Sequence, residues 1–463
     1  MKYTYAFREP LATRLELSGG KGSNLSLLTQ RGFPVPPGFI VAAQAYRDFI
    51  AAGRGLLSEV AGFHFDAPAK LRRGSEILRE ELAKMKLPSE VEDEVSERLR
   101  NFAPDQAFSV RSSSTMEDLA SAAFAGQHET YLNCVGPGQI LDRIKACYLS
   151  LWSDRAIAYR HQQGFEHALA AMSVVVQQMV LCDVAGVGFS INPINGDLNE
   201  MIFDANFGLG ESVVSGEGEV DHFEVEKSTG KTRRSTIARK TRKIVAVPGG
   251  TKEMSMTEEG LQPCLTEPQI AQLAALLGRV EVSYRFPQDI EWGFAKGELC
   301  LLQSRPITTI PARWTRDESA ERFPNVITPL TWDFVETGFH RSLNYSFRLM
   351  GFPPFSGKWF EMHGHYIYGN QNAVELYGRR APFIVRNIDE LRAAMPSIRE
   401  EYRWVQELPV MWVRDLDFYL ISIGRFMAEP LETKTLKQVW QYVLDVNSLG
   451  ANYFLPNIAI SIT

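Results

Sequence analysis

Two rhythms of apolar and polar positions run along this chain. "GGKGSNLSLLTQRGFPVPPGFIVAAQAYRDFI" (19–50) predicts a Gly-rich loop, a helix, a stop, a strand and a second helix. Leu25, Leu27 and Leu28 supply the apolar side of the first helix and Gly32 suits its C-terminal cap. Pro34, Pro36 and Pro37 cannot continue that helix, so the chain turns before "GFIVA". Residues 74–103 predict two amphipathic helices separated by Pro88. Ile140, Ile144, Tyr148, Leu151, Trp152 and Tyr159 then recur at helical spacing over 138–163. The alternation of strands takes over in "SVVVQQMV", "GVGFSIN", "NEMIFDANFG", "DHFEVEK" and "RKIVAVP", while "AFSVRSSST" predicts a buried strand running into a Ser-rich loop. Thr266 and Gln269 form a capping-box pattern at the head of a helix over 267–285. The first 310 residues therefore predict an α+β layout built around antiparallel hairpins. "TTIPARWTRDESAERFP" reads as a linker, and 325–463 as a mainly helical, aromatic-rich region.

A length of 463 residues predicts two or three domains. The net charge of −6, from 49 basic and 55 acidic side chains, gives no support to a general nucleic-acid binder. Five scattered cysteines without CxxC spacing argue against a disulfide framework or zinc site and fit a reducing cytoplasm. The start "MKYTYAFREP" lacks the apolar core of a signal peptide. "MSVVVQQMVLCDVAGVGFSI" is interrupted by Gln177, Gln178 and Asp183, so it predicts two buried strands and a turn rather than a membrane span.

The segment that most invites chemistry is "PQDIEWGFAKGELCLLQSRPITT" (287–309). Ile290, Trp292 and Phe294 share one strand face, and Asp289, Glu291 and Gly293 the other. A three-residue loop Lys296-Gly297-Glu298 predicts Glu291 opposite Gln303 and Asp289 opposite Arg305. A two-residue Lys-Gly loop would put Glu291 opposite Leu302 and scramble both faces. Two readings of the polar surface stand: oxygen ligands for Mg²⁺ beside a phosphate-binding Arg, or cross-strand polar pairs on a solvated face.

Other candidates carry the same double reading. Lys21 in "GGKG" adds a point charge to backbone N–H groups at a helix start, a phosphate-binding arrangement, or is a surface Lys in a plain Gly turn. Arg111 precedes three serines, and "ASAAFAG" (120–126) supplies small residues suited to a lid or to a flexible surface loop. Gln127, Glu129 and Thr130 alternate with apolar positions on a return strand. "VVVQQMV" can present an edge to an adenine or be an ordinary core strand, and "FGLGESVVSGEGEVDHF" is another Gly-rich loop around Glu211. His363 and His365 have the HxH spacing of one strand face and no convincing third metal ligand.

In this order, "GGKGSNLSLL…GFPVPPGF", "FSVRSSSTMEDLASAAFAGQHETYLN", "INPINGD", "FGLGESVVSG" and "DIEWGF…LLQSRPIT" resemble the ATP-grasp nucleotide-binding domain of phosphoenolpyruvate synthase. Pyruvate phosphate dikinase and rifampin phosphotransferase share that domain. The resemblance implies an ATP-grasp domain over 1–312, a linker over 313–324 and a mainly α-helical, incomplete second-substrate domain over 325–463. The latter is similar to the start of the substrate domain of rifampin phosphotransferase in "ERFPNVITPLTWDFVETGF". It implies that Lys21 and Arg111 hold the ATP polyphosphate, with Gly126 and Thr130 near the nucleotide and Gln177 touching its base. Glu291 and Gln303 would ligate Mg²⁺, Asp289 would assist, and Arg305 would touch the terminal phosphates. Trp332, Phe334, Phe339, Trp359, Phe360, Tyr366 and Tyr368 would line a pocket for a large organic second substrate or else form helical core.

The reaction so implied splits ATP to AMP and phosphate and passes a phosphoryl group through a histidine on a swivelling domain. No histidine here has the expected phosphocarrier setting, so that domain is expected further along a longer chain or on a separate subunit. The resemblance implies no nucleic-acid or membrane partner. Two alternatives share the ATP residues: an ATP-dependent ligase of the prodigiosin-condensing type, and a nucleotide-binding module without its carrier.

Overall fold

The computed structural model describes residues 2–53, 67–115, 129–162, 170–214, 216, 218–317, 323–349, 352, 355–378 and 387–462, with 55, 63, 65, 166, 167 and 319. Its contacts divide the chain into two units. The first comprises Met1–Asn192, Asn199–Tyr284 and Gln288–Arg305, and the second Pro193–Leu198, Arg285–Pro287 and Pro306–Thr463.

The first unit opens with β1 (Thr4–Ala6), α1 (Leu15–Gln30), β2 (Gly38–Val41), α2 (Ala43–Ala51), α3 (Pro68–Lys84) and α4 (Ser89–Leu99). It continues through β3 (Ala107–Ser114), β4 (Thr130–Val135), α5 (Pro137–Ser150), α6 (Asp154–Gln162) and β5 (Met172–Gln178). The strands form an antiparallel sheet in the order β1-β2-β5-β3-β4. Alternation explains its two faces: Val110, Val174 and Val176 pack against helix residues such as Tyr46, Leu78, Val95, Ile144 and Tyr148. On the other face Val175 and Ile40 pack against Leu25 of α1.

A second antiparallel sheet, in the order β13-β12-β6-β7-β8-β9, is built from β6 (Val184–Phe189), β7 (Glu200–Phe207), β8 (Asp221–Glu226), β9 (Lys231–Thr236), β12 (Gln288–Ala295) and β13 (Glu298–Pro306). β10 (Arg242–Val247) and β11 (Gly250–Ser255) form a separate hairpin, and α7 (Glu211–Val214) is a single turn. Helix α8 (Glu267–Tyr284) lays Ile270, Leu273, Leu277 and Val280 on Phe203, Val225, Ile290, Trp292 and Leu301. Each such aliphatic side chain contributes roughly 1.5–3 kcal/mol on burial. Half of the capping box is present: the Thr266 N–H and hydroxyl both donate to Gln269 Oε1, at 2.9 and 2.8 Å. Under this sheet lies a fully buried ion pair, Lys240 Nζ to Asp221 Oδ1 at 2.5 Å. Asp221 also accepts from the N–H groups of Ala238 and Cys264, at 2.9 and 2.8 Å.

The second unit has a three-stranded sheet, β14 (Trp314–Thr315), β16 (Tyr366–Asn370) and β15 (Phe360–His363), followed in sequence by helix α10 (Gln371–Gly378). Helix α9 (Pro329–Leu349) precedes β15, and α11 (Ile388–Glu401), α12 (Arg403–Met427) and α13 (Leu436–Ile462) end the unit. Trp332, Trp359 and Phe360 are buried. Trp359 stacks on Phe347 with centroids 4.9 Å apart, while Phe360 meets Phe339 edge-on at 5.9 Å. Ring-to-ring packing thus explains these aromatic residues as core.

Two sequence expectations need correction, and one open pair of readings is narrowed. Ser112, Ser113 and Ser114 belong to β3 and pair with Val174, Ser173 and Met172, rather than forming a loop. Their burial is tolerated because hydroxyls are paired: Ser113 Oγ donates to the Ser18 carbonyl at 2.8 Å and Ser112 Oγ to that of Glu129 at 3.2 Å. β5 is a central strand with both edges paired, so "VVVQQMV" is core strand through Gln178. His363 and His365 do not share a strand face: His363 ends β15, while Gly364 and His365 form its turn with φ of 55° and 67°. A two-residue turn with both φ positive is the one that matches strand twist.

Candidate functional site

Helix α1 kinks at Gly19, whose φ of 64° and ψ of 177° suit glycine alone. There the helix runs onto β3: a Cβ on Gly19 would stand 2.3 Å from the Ser113 carbonyl oxygen. The Gly22 N–H donates to Ser113 Oγ at 3.1 Å. Lys21 therefore lies in the first turn beyond the kink, on a backbone stitched two residues along β3 from Arg111. N–H groups at such a helix start attract anions.

Arg111 sits mid-sheet, opposite Thr130 of β4 and Val175 of β5. Thr130 is exposed, at the start of its strand. Arg111 is buried and its guanidinium reaches the second sheet. Nη1 donates to the Leu302 carbonyl at 3.1 Å, and Nη2 donates to Glu291 Oε2 at 2.9 Å and Gln303 Oε1 at 2.6 Å. Among the described residues its Nε is buried with no hydrogen-bond partner. A buried donor without an acceptor is costly in a plain structural ion pair and fits an anion site.

The hairpin that delivers Glu291 and Gln303 differs from its expected loop. Strand β12 ends at Ala295 and β13 starts at Glu298, with Lys296 and Gly297 at φ of 51° and 83°. It is a two-residue turn, fixed by the Lys296 N–H donating to Asp183 Oδ2 at 2.7 Å. Accordingly Leu299 and Leu301, not Cys300 and Leu302, join Trp292 in the core. Gln303 has the parity of Leu301 yet meets Glu291 at Arg111, so the alternation breaks between Leu301 and Gln303. An extra residue of the kind a β-bulge inserts has this effect, and it re-aims a side chain. The short turn and the polar pairing thus coexist.

Next to this cluster Arg305 Nε donates to Asp289 Oδ2 at 2.6 Å. Asp289 is buried and Arg305 largely exposed. Burial pushes the Asp289 carboxyl above its ordinary range, Arg305 pulls it back, and nearby Glu291 raises it again. Gln177 is brought to the same sheet face, opposite Ser109, but its Nε2 donates to the Pro36 carbonyl at 3.1 Å and it is buried. Gly126 and the expected lid (120–126) lie outside the described residues.

Sequence reading missed a polar row on the Glu291 face of the second sheet. Glu291 pairs with Val187, Val187 with Asp204, and Asp204 with His222. His222 Nδ1 lies 2.6 Å from Asp204 Oδ1, and that hydrogen bond raises the imidazole above its ordinary value. Alternation in "DHFEVEK" puts His222 on the face opposite Phe223 and Val225, but the strand order that joins it to Glu291 has no sequence signal.

Among the described residues no three His, Cys, Asp or Glu side chains converge as a metal cage. One carboxylate and one amide oxygen suit instead a hard cation that keeps waters and shares phosphate oxygens. An arginine of one antiparallel sheet thus meets a carboxylate and an amide of another, a grouping whose chemistry suits a phosphorylated ligand and a hydrated cation. The chain belongs to the family of the pyruvate phosphate dikinase AMP/ATP-binding domain, whose sequence model matches residues 15–323.

The chain is 36% identical over 366 residues to a probable phosphoenolpyruvate synthase of Pyrococcus horikoshii, covering 68% of this chain and 45% of that protein. It is 38% identical over 311 residues to rifampicin phosphotransferase of Bacillus cereus, covering 66% of this chain and 36% of that protein. Rifampicin phosphotransferase of Bacillus subtilis is 38% identical over 304 residues. The matched stretch thus spans less than half the length of these curated relatives. Among the described residues no helix is long and apolar enough to cross a membrane.

Proposed function

We propose that the first unit binds MgATP in an ATP-grasp arrangement, as the nucleotide half of a dikinase-type phosphotransferase. The observation that carries this reading is Arg111 of one sheet meeting Glu291 and Gln303 of the other, with a buried donor left over. In this proposal 1–312 is the ATP-grasp domain, 313–324 the linker and 325–463 the start of a domain for an organic second substrate. Splitting of ATP to AMP and phosphate, with a phosphoryl group carried by a histidine on a swivelling domain, belongs to the same proposal. It is supported by the names of the relatives.

Lys21 and Arg111 hold the polyphosphate, Lys21 as a point charge at the helix start and Arg111 as a planar fork. Glu291 and Gln303 would hold Mg²⁺, and Asp289 keeps Arg305 in line with the terminal phosphates. Mg²⁺, when bound, neutralises developing charge on the phosphoryl oxygens. Thr130 lines the nucleotide beside Arg111, Gly126 belongs to the covering loop, and Gln177 supports the base-side wall from Pro36. Positioned charge is what phosphoryl transfer needs most.

Calorimetric titration of MgATP tests this. The intact chain binds, and Lys21→Ala binds on the order of tenfold or more weakly, about 1.4 kcal/mol. Absence of MgATP binding to the intact chain refutes the reading. For the whole reaction, ³¹P NMR on a chain extended to include a carrier domain shows AMP and phosphate. ADP as sole nucleotide product rejects dikinase chemistry.

A further inference from the structure

The cation position of the proposed site is already filled by the protein itself. A single nitrogen, Arg111 Nη2, donates to the two oxygens assigned to the metal, Glu291 Oε2 at 2.9 Å and Gln303 Oε1 at 2.6 Å. Mg²⁺ binds such oxygens at about 2.0–2.1 Å, so an ion seated between these two would overlap this nitrogen. The contact is sheltered: Arg111 is 9% and Gln303 8% exposed, so water screens the guanidinium charge little. Nη1 adds a third anchor on the Leu302 carbonyl at 3.1 Å.

We propose that Arg111 guards the metal site, so that divalent metal and nucleotide bind together and the metal alone binds poorly. This inference rests on the proposed MgATP site and adds a specificity role for Arg111 beyond phosphate contact. The unpartnered Nε supplies the driving force. At rest one buried donor of the fork is unsatisfied, whereas a phosphate can accept from Nε and an Nη in parallel. Turning to the phosphate satisfies Nε and frees Glu291 and Gln303 at the same moment. Neighbouring Arg305 is held by Asp289, its Nε donating to Oδ2 at 2.6 Å. Reciprocity then requires each ligand to tighten the other by the same factor.

The test uses Mn²⁺ as the probe, with free Mn²⁺ counted by electron paramagnetic resonance on the intact chain, Arg111→Met and Arg111→Lys. Without nucleotide, Arg111→Met is expected to bind Mn²⁺ about tenfold or more tightly than the unmodified chain, a usual size for such coupling. Arg111→Lys, which keeps a cation but not the fork, falls between them. In the unmodified chain ATP tightens Mn²⁺ binding, and in Arg111→Met that synergy shrinks. Equal or weaker Mn²⁺ binding by a folded Arg111→Met overturns the guard, and MgATP titration of the unmodified chain decides the site reading separately. If Arg111→Met does not fold, Arg111→Lys decides: Mn²⁺ affinity equal to or below the unmodified chain's overturns the inference. Failure of the unmodified chain to bind Mn²⁺ even with ATP overturns the site reading as well.

Discussion

Replacing Gly19 by alanine tests the joint that sets Lys21 against β3. A side chain at φ 64° and ψ 177° costs about 1–3 kcal/mol in backbone strain. Its Cβ would stand 2.3 Å from the Ser113 carbonyl oxygen and 2.5 Å from Ser113 Oγ. Restoring an ordinary C···O contact near 3.4 Å pushes helix and strand apart by about 1 Å. Overpacking of that kind adds about 1–3 kcal/mol, for a total of about 2–6 kcal/mol. Gly32 is the matched control, because it also has positive φ, 77°, but its Cβ would meet nothing within 4 Å. Gly32→Ala is therefore expected to cost only about 1–2 kcal/mol. Urea unfolding followed by tryptophan fluorescence measures both, and MgATP titration reports the displaced Lys21. If the Gly19→Ala midpoint falls no further than that of Gly32→Ala, the steric account of the α1–β3 joint is wrong.

Three other outcomes are expected. Lys240→Met leaves Asp221 charged and fully buried, and should lower stability by about 3–5 kcal/mol in a denaturant titration. A loss below about 1 kcal/mol would mean that the Ala238 and Cys264 N–H groups alone satisfy that carboxylate. His222 is raised above its ordinary value of 6.5 by Asp204, with Glu224 raising it further and Arg234 opposing. Its stabilising contribution is therefore complete below that value and is lost as pH rises through the higher folded value. His222→Gln should flatten the fall in denaturation midpoint over that window, and an unchanged slope would discount the Asp204 pairing. Glu291→Gln should weaken MgATP binding by about tenfold or more while affecting metal-free ATP less, since only the metal needs the carboxylate. Equal losses with and without Mg²⁺ would speak against metal ligation by Glu291.

Local chemistry made much of this protein legible. Thr266 and Gln269 predicted a cap because both partners lie three residues apart, and Gly32 predicted a helix end because its backbone requirement is its own. The strand in "DHFEVEK" follows from period-two alternation, since neighbouring side chains must leave a strand on opposite faces, and the one in "SVVVQQMV" from a short apolar run buried on both faces. The hairpin loop was misjudged because strict alternation over both strands demands an odd loop, and the break between Leu301 and Gln303 removes that demand. The serine run looked like a loop because its hydroxyls find partners only across the fold, on Ser18 and Glu129.

Tertiary structure alone decided the site. Arg111, Glu291 and Gln303 are separated by up to 192 residues, and no local pattern states that one guanidinium nitrogen joins them. Sequence dictated which residues face the same way along each strand; the order and approach of the sheets dictated which faces meet. The first depends on the stereochemistry of adjacent residues, the second on burying Trp292, Ile290 and Leu301 beneath α8.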